Sequence, residues 1–319
     1  MWRSCMVMMG AGAAMVAQAA SIEWMTDIEA ASEKAAREGK MMLVEFTGSD
    51  WCKACILQKK QVLAQPAFAE WVQKHYIPVE IDVPNNAALV GGKEQLQKNK
   101  KFCDDHGVRI FPSLLIMSPE LVLIGGCQGA HFSPQSAISA LESCKPAVDA
   151  YKQAMSLQGE ARARALYDIY RKQPQEFRKY NYPLMQQIAE ADANDVTGLR
   201  AEYAQIRQMK ELEKALAQAR SFDTKLAVIN DVLAQVLPDN KASVVRYKES
   251  LLRMEVTRLM AHPSSVGDIL KARDFSLQAV ECITDEKKRT EQKRVMLEYF
   301  ADPEALFKAR TDAQKNTKK

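Results

Sequence analysis

A short apolar run, Met41-Met42-Leu43-Val44-Glu45-Phe46, is followed closely by Trp51-Cys52-Lys53-Ala54-Cys55. The run follows Gly39-Lys40 and reads as a buried strand of a mixed sheet. Two cysteines separated by two residues sit one helical turn from each other when they open a helix, which permits a reversible disulfide. With Cys52 at the helix N-terminus, unpaired backbone N–H groups and the helix dipole stabilise its thiolate, lowering a pKa near about 8.5 by roughly one to several units. Cys52 is then the attacking sulfur. Cys55, a turn further in, is shielded and acts as the resolving thiol. Lys53 adds a cation beside the thiolate. A strand, a tight turn and a helix in this order call for an α/β fold.

The flanking pattern agrees. Residues 22–38 predict a helix, with Ile28, Ala31 and Ala35 on one face and Gly39 as its stop. Apolar positions at Ile56, Val62, Leu63, Phe68, Trp71 and Val72 predict a long helix bent or broken at Pro66. Residues 76–83 read as a second strand, 84–92 as a loop and 93–106 as a helix ending at Gly107. Residues 113–117 and 121–124 flank Ser118-Pro119-Glu120 and read as a hairpin. A helix over 133–144 closes an α/β sandwich of roughly 120 residues.

From Lys145 onward strand-like runs vanish and Ala, Leu, Gln, Lys, Arg and Glu dominate. Helices are expected near 147–157, 160–172, 183–191, 196–220, 223–236, 241–261, 265–281 and 286–299, with breaks at Pro174, Pro183, Asn194, Pro238 and Pro263. They stack as a bundle or a short solenoid, and no 34-residue helical repeat is evident. A chain of 319 residues has room for two such units. Expected boundaries are 21–145 for the α/β domain and 146–309 for the all-α helical domain. The polar, basic residues 310–319 are expected to be disordered.

The segment from Phe46 to Cys55 resembles the active-site segment of secreted bacterial thioredoxin-like proteins. A second match lies at His106-Gly107-Val108-Arg109-Ile110-Phe111-Pro112-Ser113, similar to the stretch that carries thioredoxin's cis-proline, and a third at Gly129. The resemblance spans residues 22–144 and implies a thioredoxin-like fold, a mixed central sheet flanked by helices. Carried over residue by residue, it makes Cys52 the nucleophile, Cys55 the resolving cysteine and its disulfide partner, and Pro112 a cis-proline beside them. Glu45 corresponds to the buried acid that assists proton transfer, although here it is Glu instead of Asp and one extra residue separates it from the cysteines. Trp51, Lys53 and Phe111 are the expected substrate contacts, with plain packing as the other role of Trp51. The implied activity is reduction, formation or isomerisation of disulfides in client proteins. Lys53-Ala54 departs from thioredoxin's Gly-Pro and leaves the direction open.

The N-terminus, MWRSCMVMMGAGAAMVAQAA, carries one cation at Arg3, an apolar run from Cys5 to Val16, and small residues at Ala17 and Ala19. This is the layout of a secretory signal over residues 1–19, placing the mature chain in the periplasm or outside the cell. The competing reading, an uncleaved anchor, meets an apolar run shorter than the ~20 residues a bilayer span needs. In such a compartment disulfides persist. Cys127 and Cys144 then read as a possible second, structural disulfide, and Cys282 as a packing residue. The metal reading would join Cys52, Cys55, Cys103 and His106 around zinc. Cys103 falls within a helix and reads instead as a buried small hydrophobe, so no metal or other cofactor is expected. His75, His131 and His262 lack a Ser or Cys arrangement for a hydrolase triad. A net charge of +4, with both signs spread along the chain, speaks against nucleic acid as a partner. The expected partners are protein disulfides or dithiols, a redox protein that recharges the cysteine pair, and a protein partner or second copy held by the helical half. The alternative is a periplasmic chaperone or scaffold whose redox site is vestigial or regulatory.

Overall fold

The computed structural model describes residues 21–317, with side chains described to Ala313, so the expected signal segment lies outside the described residues. The first helix, α1, runs over Ile28–Glu38. It starts later than the apolar spacing predicts because Asp27 caps it, its carboxylate accepting the Glu29 and Ala30 N–H groups. The preceding residues are extended: Met25 donates to Pro78 O and accepts from Glu80 N–H, satisfying the open edge of a strand. A left-handed Gly39 (φ 62°) ends α1.

Strands β1 (Met41–Thr47), β2 (Tyr76–Asp82), β3 (Ser113–Met117) and β4 (Leu123–Gln128) form one mixed sheet in the order β2-β1-β3-β4. β1 runs parallel to β2 and antiparallel to β3, and β4 is antiparallel to β3. Every residue of β1 is buried, as a central strand covered on both faces requires. Met42, Val44 and Phe46 face a core with Ala31 and Ala35 of α1 and Leu96 and Cys103 of α4 (Lys93–Asp105). Alternation then turns Leu43, Glu45 and Thr47 to the other face. The hairpin loop is longer than its sequence suggests. Leu121 adopts φ 62°, Ser118 N–H donates to Val122 O, and β4 begins only at Leu123.

The long helix expected after the cysteines is α2 (Lys53–Gln58), a π-helical turn over Lys59–Leu63, and α3 (Pro66–His75). Pro66 breaks the ladder and starts α3, where its missing N–H costs nothing. The domain continues with α5 (Pro134–Glu142).

The chain divides into two compact units between Arg200 and Ala201. Four further helices belong to the first unit: α6 (Lys145–Met155), α7 (Gly159–Lys172), the short α8 (Gln175–Arg178) and α9 (Tyr182–Ala191). Buried polar contacts bind them to the sheet. Asn181 donates from Nδ2 to Leu123 O at 2.7 Å and accepts Leu123 N–H at 3.2 Å, completing the edge of β4 as a neighbouring strand would. Gln173 donates to the same carbonyl, and Tyr151 OH reaches Ser118 and Gln187. Sequence composition marks where strands stop, but not which helices the sheet edge recruits.

The second unit holds α10 (Arg200–Gln218) beyond its first residue, α11 (Phe222–Ala234), α12 (Pro238–Ala261), α13 (Val266–Glu281), α14 (Glu286–Tyr299) and α15 (Pro303–Thr317). Consecutive helices pack on each other around two apolar clusters that share α12. Leu212, Ile229 and Val244 form one, and Leu259, Met260, Ile269, Ala272 and Phe300 the other. Residues 310–317, expected to be disordered, continue α15. Leu306 and Phe307 dock its first turns on the second cluster, and helix formation propagates from there.

Replacing Asn181 by Ala removes the acceptor of the Leu123 N–H and leaves Leu123 O with Gln173 as its side-chain donor, in a buried setting. The expected cost is about 1–3 kcal/mol, read as a lower urea midpoint for the first unit, with Glu190→Ala on the exposed face of α9 as the neutral comparison.

Candidate active site

The turn between β1 and α2 is held on several sides. Gly48 O accepts the N–H groups of Trp51 and Cys52, at 3.3 and 2.9 Å. Ser49 donates its N–H and hydroxyl to the two carboxylate oxygens of Asp82, at 2.9 and 2.6 Å. Asp50 accepts the N–H groups of Asn85 and Asn86, each at 2.8 Å, and these bonds hold its carboxyl below the ordinary aspartate pKa. Asn99 of α4 donates to Asp82 O, tying the same strand end to the helix behind it.

Trp51 closes the turn. Its Nε1–H donates to Val83 O at 2.8 Å, and its ring meets Phe111 edge-on, with centroids 5.6 Å apart and planes at 70°. A Cβ on Gly48 would lie 2.3 Å from this indole, so only glycine fits there. The ring is still 44 % exposed, so it packs and presents a surface at once. The bond between Phe111 and Pro112 is cis, as the resemblance implied. Pro112 O accepts Gly129 N–H at 2.8 Å, which joins two of the matched segments.

Cys52 and Cys55 are joined by a disulfide, with Cα atoms 5.2 Å apart. Cys52 is the N-cap of α2, and its sulfur accepts the Cys55 N–H at 3.2 Å. An amide aimed at that sulfur stabilises charge on it when the pair is reduced. Cys52 is 7 % exposed and Cys55 1 %, which makes Cys52 the accessible sulfur and Cys55 the shielded one. Lys53 is exposed beside them. Cys55 lines a cleft of about 260 Å³ together with Thr47, Ser49, Ile56 and Lys59.

Glu45 lies on the face of β1 turned toward that cleft's Thr47. It is fully buried, and neither carboxylate oxygen has a hydrogen-bond partner. Desolvation, reinforced by Glu80 and Asp82 and partly opposed by Lys59, pushes its pKa up to about 8. Glu80 stands directly opposite Glu45 across the β1/β2 ladder, and Lys59 Nζ pairs with the Glu80 carboxylate. Burial works to lower the pKa of Lys59, but the Glu80 contact and the charges of Glu80, Glu45 and Asp82 raise it above the ordinary lysine value. The solvent-facing alternative for Glu45 does not hold. Lys59, Glu80 and Asp82 are the members of this group that sequence reasoning missed, because their proximity depends on strand register and on the π-helical turn.

Of the other sulfur sites, Cys103 is the buried small hydrophobe expected, and Cys127 and Cys144 depart from the disulfide weighed for them. Cys103 is buried in the core against α1, its thiol pushed up to about 12 chiefly by burial, and His106 Nδ1 contacts Phe102 O at 2.9 Å. Among the described residues no group of three or more His, Cys, Asp or Glu side chains is placed to hold a metal. Cys127 and Cys144 are free thiols, not a closed structural disulfide, because Cys144 hydrogen-bonds toward Ala140 O and Gly126 O and Cys127 toward His131. His131 is likewise more than a boundary residue, its ring meeting both Cys127 and Ser136. The Cys127-x3-His131 spacing was the available signal, and its position across a loop hid it. Cys282, beyond the first unit, is a half-buried free thiol bonded to Gln278 O.

The folded chain holds the Glu45 proton up to about 8, whereas an unfolded glutamate releases it near 4.5. The stability contributed by this protonation is therefore present below 4.5 and lost as pH rises to about 8. Glu45→Gln should be more stable than the parent at pH 8.5 by an amount on the order of a few kcal/mol, with the difference shrinking toward pH 5. Paired urea titrations at the two pH values check this.

Comparison with known proteins places residues 23–119 in a thioredoxin-like family model. Disulfide bond reductase DsbH of Chlamydia pneumoniae is 33 % identical over 102 residues, 32 % of this chain and 60 % of that protein. Thioredoxin-related protein DsbJ of the same organism is 29 % identical over 100 residues, 31 % of this chain and 28 % of the relative. A solved structure described as DsbH oxidoreductase aligns with a TM-score of 0.35 and 28 % identity, covering 40 % of this chain and 85 % of that one. The match thus spans less than two thirds of either curated relative, and the helices beyond residue 145 lie outside the family model. Residues 23–119, which carry three strands of the mixed sheet, the cysteine pair and the cis-proline, belong to a thioredoxin-like domain related to those of DsbH and DsbJ.

Proposed function

We propose that this chain is an exported thiol–disulfide oxidoreductase that reduces disulfides in client proteins. The observation that carries this reading is the Cys52–Cys55 disulfide at the opening of α2, in a domain whose cis-Pro112 is reached through the Trp51–Phe111 contact. The name of one relative, a disulfide bond reductase, supports the reductive direction. The signal-like N-terminus supports export.

The cycle starts from the dithiol. Cys52 thiolate, held by the Cys55 amide, attacks a client disulfide and expels one client thiolate, leaving a mixed disulfide. Cys55 then loses its proton and attacks Cys52 Sγ, expelling the second client thiolate and closing the Cys52–Cys55 disulfide. Glu45 assists this second step as a base in its ionised form, which is populated as pH nears about 8, taking up the Cys55 proton through water and returning it to solvent. Lys59 and Glu80 set how readily it ionises. A redox partner supplies two electrons to reopen the disulfide. Trp51 and Phe111 offer an aromatic wall to the client chain, Lys53 a cation beside it, and Pro112 keeps an N–H from competing with the incoming strand.

Insulin precipitation with dithiothreitol tests the reading. The chain should accelerate it, Cys52→Ser should abolish the acceleration, and Cys55→Ser should accumulate a mixed disulfide with insulin. Equal rates for parent and Cys52→Ser would overturn the proposal. The reduction potential decides direction: a value near roughly −270 mV marks a reductase, one near roughly −120 mV an oxidant.

Trp51→Ala should raise KM for the client several-fold and lower kcat as well, since it removes contact area and also frees the turn that holds Cys52 from Val83 and Phe111. Steady-state insulin reduction separates the two.

A further inference from the structure

Cross-strand pairing sets Glu80, Glu45, Leu114 and Cys127 in one row across the sheet, so Cys127 faces the same side as Glu45 at the far edge. Cys144 follows α5, which packs on β4. Its Sγ is 4.0 Å from Gly126 O, the carbonyl bonded to the nitrogen of Cys127. It also lies 3.0 Å from where a Cβ on Gly125 would stand. Gly125 and Cys127 are two apart on β4 and point to one face, so the absence of a side chain at Gly125 is what admits the Cys144 sulfur next to Cys127. Both thiols are free and half-buried.

A base is already in place. His131 Nε2 lies 3.2 Å from Cys127 Sγ, and Nδ1 lies 2.9 Å from Ser136 Oγ. The ring is oriented from behind as well, since His131 N–H donates to Gln58 Oε1 at 2.7 Å. With Nδ1–H donated to Ser136, Nε2 is free to accept the Cys127 proton. Desolvation lowers the pKa of His131, which keeps the imidazole neutral and able to accept. Burial, with Cys144 nearby, pushes the Cys127 thiol up to about 12, so a base in contact with it is needed as it attacks.

We propose that Cys127 and Cys144 are a second thiol–disulfide site, in which Cys127, deprotonated by His131, attacks a low-molecular-weight disulfide of the glutathione class and Cys144 resolves the adduct. In the first step the Cys127 thiolate displaces one glutathione thiolate, which takes the proton from His131. In the second, the Cys144 thiol loses its proton to solvent and attacks Cys127 Sγ, releasing the second glutathione. Two protein thiols are oxidised and one glutathione disulfide is reduced. Closure draws the loop after α5 toward β4 on the face that carries Glu45, and it is independent of the Cys52–Cys55 reaction.

The test is oxidation of the fully reduced full chain by glutathione disulfide, with acid quench, alkylation and non-reducing peptide mass mapping. Cys52–Cys55 closure serves as the internal control, so failure here does not bear on the proposed reductase. A peptide pair linked through Cys127 and Cys144 is expected, forming more slowly than the control. His131→Asn should slow this linkage at least about ten-fold and leave the control rate unchanged, and Cys144→Ser should stop at a glutathione adduct on Cys127. Full alkylation of Cys127 and Cys144 when Cys52–Cys55 is completely oxidised would overturn the proposal. So would linkage of either to Cys103 or Cys282, or stable adducts on both in the parent chain.

Discussion

A sulfur at the first turn of a helix gains from the amide pointed at it only while that turn stays put. The bond from Cys55 N–H to Cys52 Sγ is 3.2 Å long, and its geometry depends on the path from Gly48 to Trp51. Asp82 and Asp50 hold that path through four charge-assisted hydrogen bonds, with Ser49, Asn85 and Asn86 donating. Trp51 then spans from the turn to Val83 and Phe111, so the cysteine turn, the end of β2 and the cis-proline segment move as one body. The chemistry of the pair rests on this bracing more than on the cysteines themselves.

The second constraint is a buried carboxyl with no hydrogen-bond partner. Burying it ionised would be costly, so the protein keeps it protonated over most of the neutral range. Lys59 and Glu80 form the device that tunes this cost. Lysine supplies an opposing charge, but it is paired with Glu80, which itself repels Glu45. The π-helical turn at Lys59–Leu63 places Lys59 over the sheet while letting α3 restart at Pro66. A local irregularity of the helix thereby becomes part of the electrostatics of the site.

The sequence was most legible where a signal spans few residues. Helix periodicity placed most helices of the C-terminal half to within a few residues, the alternation of apolar runs placed the four strands, and Phe111-Pro112 identified the cis bond through its resemblance. The errors have a common origin. Residues 22–27 have helical spacing yet are extended, because Met25 completes the edge of β2, a partner more than fifty residues away. The change in composition near residue 145 marks where strands end, while the long-range contacts of Asn181 and Gln173 that tie the following helices to β4 leave no mark in it. His131 looked ordinary because its partners are a strand residue and a helix residue on either side of its loop.

By itself the sequence determined the exchange chemistry open to Cys52 and Cys55, the α/β-then-helical order and the candidate acid at Glu45. The first two are carried by residue types and short spacings that act through local backbone geometry, the third by the resemblance to thioredoxin-like proteins. Tertiary structure alone decided that Glu45 is buried and faces Glu80 and Lys59, that Asp82 braces the cysteine turn, and that Cys127, His131 and Cys144 meet. Register across four strands and the layering of helices on the sheet bring these groups together. Both are collective properties of packing, invisible in any single segment.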